Sequence, residues 1–352
     1  MEQNVPVIVA SVAAIVVMLL SLAVVDSRML PVGPLARSVL LSLGVGAVGG
    51  AAWLAIAPLL APSLAGDLYV PIGALGAVAA FLATIAVRMG GVGTIGTLVF
   101  AGAWSAIVFV PAAILSFVGL PDFQPTDHGG SIAVNVAGGA AALGVLLVTG
   151  KRAQRSSPGP LPLPLGVVAV IALCVSWITW LVGAELDIDD VTPSIMLNSV
   201  VGAVAGMVGW LIVQRIRHQH TTVTAVAAGL VSGLVAITAG AALYTPVSAA
   251  VAGLVAGGIA CIFTLRRTSA TRRQQWFIVG SHLIAGAVGV ALLGVLATDV
   301  GYLFTGDTGI TFTGIFSFLE RQVISTVGVA AYSCTVAVLL WFLVKRMRGS
   351  RA

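Results

Sequence analysis

The chain has 352 residues, of which 59% are hydrophobic and only 8% charged, with a mean hydropathy of +1.11 and a formal net charge of +5. Water-soluble domains carry about 25% charged residues, so a water-soluble fold is excluded. The excess of base reflects loops that meet anionic lipid headgroups, and it carries no implication of nucleic-acid binding.

Eleven apolar stretches follow one another in chain order: 5–27, 36–61, 68–89, 94–120, 129–150, 162–184, 194–216, 221–241, 246–266, 275–297 and 319–345. Each is near the about 20 residues that a helix needs to cross about 30 Å of hydrocarbon. The first lacks a basic leader and a small-residue cleavage site, so it reads as a retained helix and not a signal peptide. Arg28 and Arg37 separate spans one and two, Arg88 follows span three, and Lys151, Arg152 and Arg155 follow span five. Arg215 and Arg217 follow span seven, Arg266, Arg267, Arg272 and Arg273 span nine, and Lys345, Arg346, Arg348 and Arg351 span eleven. All seventeen Lys and Arg except Arg321 thus share one face. The positive-inside rule makes that face cytoplasmic, with the N-terminus outside and the C-terminus inside. Asp67, Asp122, Asp127, Glu185, Asp187, Asp189, Asp190, Asp299, Asp307 and Glu320 fall on the other face; Asp26 is internal. Cys174, Cys261 and Cys334 lie within spans, which does not indicate a disulfide framework. No break is long enough for a soluble domain, so residues 1–352 read as one polytopic, all-α domain of the cell membrane.

The stretch Arg155-Ser-Ser-Pro-Gly-Pro-Leu-Pro-Leu-Pro164 is a linker rich in Pro and polar residues. It divides a first set of five spans (about 5–150) from a second (about 164–297), with the linker at about 151–163 and a final helix at about 319–345. Five is odd, so a second copy enters the bilayer from the opposite side, as in an inverted repeat. Asn135-Val-Ala-Gly-Gly139-Ala-Ala-Ala142 aligns with His282-Leu-Ile-Ala-Gly286-Ala-Val-Gly289, although any two Gly/Ala-rich membrane helices share such features. Gly202/Gly206, Gly229/Gly233 and Gly253/Gly257 leave four-residue spacings that suit close helix packing.

The chemistry concentrates in two eight-residue steps. Asp127 opens span five and Asn135 lies eight residues on; Gln274 opens span ten and His282 lies eight residues on. At about 1.5 Å per residue each is about 12 Å deep, from opposite faces, leaving about 6 Å between their levels near the midplane. Ionisable side chains within spans usually face the bundle interior or a wet path. A neutral imidazole and an amide each offer donor and acceptor, a polar spot for a small hydrogen-bonding solute in a narrow apolar pore. Asn cannot titrate, so a proton held at His282 could not be handed along a histidine pair. The alternative is that the two side chains only satisfy each other between packed helices. Asp127 either caps span five or shapes the outer mouth and attracts cations. The Glu185–Asp190 run is a solvated loop or a cation-gathering vestibule. His128, His218 and His220 have no partner at metal-ligand spacing. No Ser/His/Asp or paired-carboxylate arrangement lies within the spans, so an enzyme, a metal centre and a cofactor are not expected.

Gly229-Leu-Val-Ser-Gly233-Leu-Val-Ala-Ile-Thr238, with Tyr244, Pro246 and Gly253-Leu-Val-Ala-Gly257, resembles helices eight and nine of the ammonium transporters, the Amt, Mep and Rh proteins. Asp127-x-Gly-Gly130, Gly139-Ala-Ala-Ala-Leu143 and Gly150-Lys151-Arg152 resemble the fifth helix, Ala86-Val87-Arg88-Met89 the end of the third, and Phe109-Val-Pro111 part of the fourth. The resemblance implies a plasma-membrane homotrimer with a pore in each subunit. Ammonium is recruited outside, loses its proton, and crosses near two facing histidines. His282 falls on the second histidine and Asn135 on the first, so the pair is incomplete. Trp180 keeps the tryptophan of the outer aromatic gate, Gly183 replaces a phenylalanine, and Phe117 stands near the vestibule tryptophan's place. The pore-lining expectation is thus His282 and Asn135, with Asp127, Trp180 and Phe117 in the outer vestibule. The short tail after Lys345 argues against docking of a PII-type regulator. Three readings follow: an ammonium or ammonia channel with a weakened relay, a non-conducting sensor or scaffold subunit, or a channel for another small neutral solute.

Overall fold

Chains that cross hydrocarbon must satisfy their backbone polar groups internally, and helices do so within each segment. The computed structural model describes residues 5–26, 35–62, 66–149, 162–266, 276–297 and 312–349. Eleven helices fill them: α1 (Val5–Asp26), α2 (Leu35–Leu60), α3 (Tyr69–Met89), α4 (Thr94–Phe117), α5 (Ser131–Thr149), α6 (Leu163–Gly183), α7 (Thr192–Ile216), α8 (Val223–Ile237), α9 (Pro246–Leu265), α10 (Trp276–Leu296) and α11 (Phe312–Gly349). Among the described residues the only β feature is an isolated bridge between Leu120 and Phe123. Gln274, residues 151–161 of the expected linker, Asp299, Asp307 and the loop residues Arg28, Arg267, Arg272 and Arg273 lie outside the described residues.

Ten of these helices are long and apolar enough to cross a membrane. The exception corrects the eighth expected span, 221–241. Its helix α8 has only 15 residues, about 22 Å of rise. It starts cleanly, because the Thr222 hydroxyl accepts the Ala225 N–H, and it ends at Ile237. Hydropathy continues through Ala239–Leu243, but several carbonyls over residues 238–244 bond other segments. The backbone N–H of Gly129 donates to Thr238, that of His128 to Ala239, and the Asn198 amide to both Ala241 and Tyr244.

Glycine decides how closely the helices approach. A Cβ on Gly206 of α7 would lie 2.5 Å from the Gly233 Cα of α8. Cβ atoms on Gly253 and Gly257 of α9 would strike the Gly202 and Gly206 carbonyls of α7. The three spacings seen in the sequence are therefore one backbone-to-backbone stack, with α7 in the middle. The most apolar windows of α3, α5 and α10 are 83%, 72% and 67% buried, against 28% in α2 and 33% in α11. Thus α3, α5 and α10 occupy the centre of the bundle, and Asn135 and His282 are carried on two of them.

Two alanine substitutions separate tight from open positions. Gly206→Ala should lower the unfolding temperature of the purified protein, since overpacking costs about 1–3 kcal/mol. Gly328→Ala, with nothing within 4 Å of the new methyl, should leave it unchanged or raise it. Equal behaviour of the two variants would refute the stacking account.

Candidate pore site

Among the described residues three segments depart from α-helical winding into π-helix: Ser105–Phe109 in α4, Ser131–Val136 in α5 and Val279–Ile284 in α10. Such bulges insert one residue and re-aim side chains, often at functional sites. Two of the three carry Asn135 and His282, which are 2% and 1% exposed. Their side chains meet: the His282 Nδ1 lies 2.9 Å from the Asn135 Oδ1. The amide oxygen is an acceptor, so Nδ1 bears the ring proton and Nε2 keeps a free lone pair.

Trp177 stacks on His282, with ring centroids 6.4 Å apart and planes 21° from parallel. Its Nε1 donates to the Thr238 hydroxyl at 3.0 Å, which donates to the Leu234 carbonyl at 2.6 Å. The turn after α8 therefore fixes the indole that flanks the imidazole. A cavity of about 10 Å³ touches Asn135, Trp177, Trp180 and Thr238, and one of about 20 Å³ touches His282, Leu173, Thr224 and Phe277. Either is near the about 10–15 Å³ that one water molecule requires. Thr224 and Phe277 also border a wider cavity of about 240 Å³ beside Gln214, His220 and Thr264.

Asp127 precedes α5 and is 4% exposed. Its Oδ2 accepts the Ile132 N–H at 2.9 Å and the Ala133 N–H at 3.4 Å, so it caps the π segment. Gly130 makes the turn between them in the left-handed region, φ +80°. Burial pushes the Asp127 carboxyl up to about 6, against the pull of the Ser116 hydroxyl and the Ile132, Ala133 and Ser131 N–H groups. His128 Nε2 donates to the Leu181 carbonyl at 2.8 Å, and Nδ1 lies 3.3 Å from the Glu185 carboxylate. Burial holds its pKa below the usual histidine value, although Leu181 and Glu185 favour the charged ring. Trp180, 1% exposed, donates from Nε1 to the Gly129 carbonyl at 3.0 Å. Phe117 is half-buried at the end of α4, beside Gly130. In the acidic loop Asp187 and Asp189 accept the N–H groups of Ile188 and Val191, so part of that charge serves the local turn.

The structure thus brings Asn135 and His282 into contact, sets Asp127 and Trp180 around the 127–130 turn, and puts Phe117 behind it. Trp177 and Thr238 are participants that sequence reasoning passed over. Trp177 was detectable, because it lies three residues before Trp180 and so on the same side of α6. Among the described residues, no group of three or more His, Cys, Asp or Glu is placed to hold a metal ion.

Comparison with known proteins matches this architecture. The model of the Ammonium Transporter Family covers residues 74–351. An ammonium transporter of Mycobacterium tuberculosis is 28% identical over 273 residues, 72% of this chain and 57% of that protein. The Bacillus subtilis ammonium transporter is 26% identical over 253 residues, 70% of this chain and 61% of its own. The match therefore spans less than two thirds of these curated relatives. The fold superposes on Saccharomyces cerevisiae Mep2 with a TM-score of 0.81 at 18% identity, covering 97% of this chain and 86% of that one. A Sensor Amt Protein gives 0.80 at 16% identity, covering 98% and 93%. The chain belongs to the ammonium transporter family.

The Asp127 carboxyl yields a signed pH prediction. Its folded pKa of about 6 exceeds the model-peptide value of 3.8, so the folded state holds this proton more tightly. The associated stability is complete below about pH 4 and is lost as pH rises through about 6. Asp127→Asn retains an oxygen acceptor and removes the titration. The difference in unfolding temperature, variant minus wild type, should grow between pH 4 and 7. A difference that stays flat contradicts the buried-carboxyl assignment.

Proposed function

We propose that the protein is a membrane channel for ammonia in which the Asn135–His282 pair replaces a histidine pair. The observation that carries this reading is the 2.9 Å hydrogen bond between those side chains, with a water-sized cavity touching each. Only a small solute fits spaces of about 10 and 20 Å³. Ammonia satisfies that limit, and as both donor and acceptor it suits an imidazole lone pair and an amide. In this reading Asp127, Trp180 and Phe117 form the entrance. Ammonium gives up its proton to external water there, and neutral ammonia passes His282 toward the wider cavity beside Gln214. With Nδ1–H committed to the Asn135 oxygen, and with an amide that cannot titrate, the pair offers no route for a proton. Passage is then electroneutral.

Orientation and symmetry belong to the same proposal. The basic face, with Arg88, Arg215 and Lys345, is cytoplasmic by charge bias, which puts Asp127 outside. Reciprocal packing supports an inverted repeat. A Cβ on Gly139, four residues after Asn135, would sit 2.5 Å from the Leu283 N, beside His282. A Cβ on Gly286, four residues after His282, would sit 3.2 Å from Val136 Cγ2, beside Asn135. Each helix thus presents the same glycine to the same place on the other. Assembly as a homotrimer in the plasma membrane follows from the family.

Reconstituted into liposomes, the protein should carry ammonia down its gradient faster than protein-free vesicles, read as a luminal pH change, without ammonium-dependent current. His282→Leu, which removes the acceptor, should lower that flux. A folded wild-type protein with no flux would refute conduction of ammonia and favour the sensor or scaffold role; a current in the wild type would refute electroneutral passage.

Restoring a second imidazole is the complementary test. Asn135→His should add an ammonium-dependent current that the wild type lacks. If current stays absent while flux persists, the identity of residue 135 does not control proton passage.

A further inference from the structure

The last helix, α11, meets the site-bearing stretch at two levels. Near its start Gln322, fully buried, forms a two-way clasp with Thr126: the Thr126 N–H donates to Oε1 and Nε2 donates to the Thr126 carbonyl, both at 2.8 Å. One level deeper the buried Ser333 hydroxyl donates to the Ala137 carbonyl at 2.6 Å and accepts the Trp104 Nε1–H at 3.1 Å. Thr126 to Ala137 and Gln322 to Ser333 are both eleven-residue steps. The helix therefore runs alongside the stretch in parallel and grips it just before Asp127 and just after the π segment.

The grip lies where Asn135 needs it. One residue of α-helix turns the chain by about 100°, so a segment that loses its inserted residue swings its side chains by about that angle. Asn135 lies one residue from the end of the bulge, and Ala137 is the first residue beyond it. The Ser333 hydroxyl occupies one of the two lone pairs of the Ala137 carbonyl at this junction. Asp127 secures the beginning of the bulge through Ile132 and Ala133, and Ser333 acts at its end.

We infer that Ser333 and Gln322 of α11 are positioning residues that hold the Ser131–Val136 bulge and so keep Asn135 on His282. This rests on the reading of that pair as the pore site. The residues touch backbone atoms of the stretch and neither member of the pair.

The state of the imidazole can be read directly. In lipid-reconstituted protein labelled with 15N-histidine, the His282 signals are assigned by their loss in His282→Gln. Wild type should show a protonated Nδ1 and a bare Nε2. Ser333→Ala should shift the Nδ1 resonance and cut ammonia flux by about tenfold, the scale on which supporting partners act. Ser333→Thr, which keeps the hydroxyl, should restore both. Gln322→Met, similar in volume but without either bond, should move the same resonance even where Ser333→Ala fails to fold. Unmoved His282 resonances in folded Ser333→Ala, or in folded Gln322→Met, overturn the inference. The resonance reports the brace whether or not the wild type conducts, so failure of the transport reading is seen separately.

Discussion

Within hydrocarbon every backbone N–H and C=O must find a partner inside the protein, and that constraint organises this structure. Around the bulge of α5 and the turn after α8, named side chains and neighbouring segments take up the polarity that irregular winding releases. Asp127 accepts two N–H groups at the start of the bulge in α5. The turn after α8 gives its carbonyls to the 127–130 backbone and to Asn198. Ser333 takes the carbonyl at the end of the α5 bulge. Around Asn135 and His282, irregular backbone and buried polar side chains therefore occur together. The Asn135–His282 contact and the helix distortion are two aspects of one arrangement.

A pair made of an amide and a neutral imidazole suits such a place. A lone charge there would be expensive to bury, whereas the two neutral groups satisfy one another and still leave an imidazole lone pair. The stacking of Trp177 adds an apolar wall, and the indole is itself tied to Thr238. Histidine orientation thus depends on α5, α6 and the end of α8 together. The same dependence explains why α8 is short: the residues that would have completed its last turn instead anchor Trp177 and the 127–130 turn.

Much of this was legible in the sequence. Recurrent apolar runs mark the helices because hydrocarbon thickness sets their length. The equal eight-residue steps from Asp127 to Asn135 and from Gln274 to His282 place the amide and the imidazole at similar depth. Four-residue glycine spacings mark α7, α8 and α9 as close neighbours. Other features were not legible. Hydropathy cannot distinguish a π segment from an α-helix, because the inserted residue is as apolar as its neighbours. It runs on through Ala239–Leu243 although the helix has ended, since the partners that end it lie far away in the chain. Gln322 and Ser333 look like isolated polar residues of a membrane helix; their meaning comes from Thr126 and Ala137, 196 residues distant in both cases.

The supports around residue 135 hold main-chain atoms: Asp127 grips N–H groups, Gln322 grips the peptide of Thr126, and Ser333 grips a carbonyl. None depends on which side chain residue 135 carries. A scaffold of that kind keeps position and chemistry separate. The backbone can deliver an amide or an imidazole to the same point opposite His282, so an exchange of side chain at residue 135 would change the titrating groups of the pair without disturbing the architecture. This separation lets the family's fold extend over residues 74–351 whatever side chain residue 135 contributes to the pair.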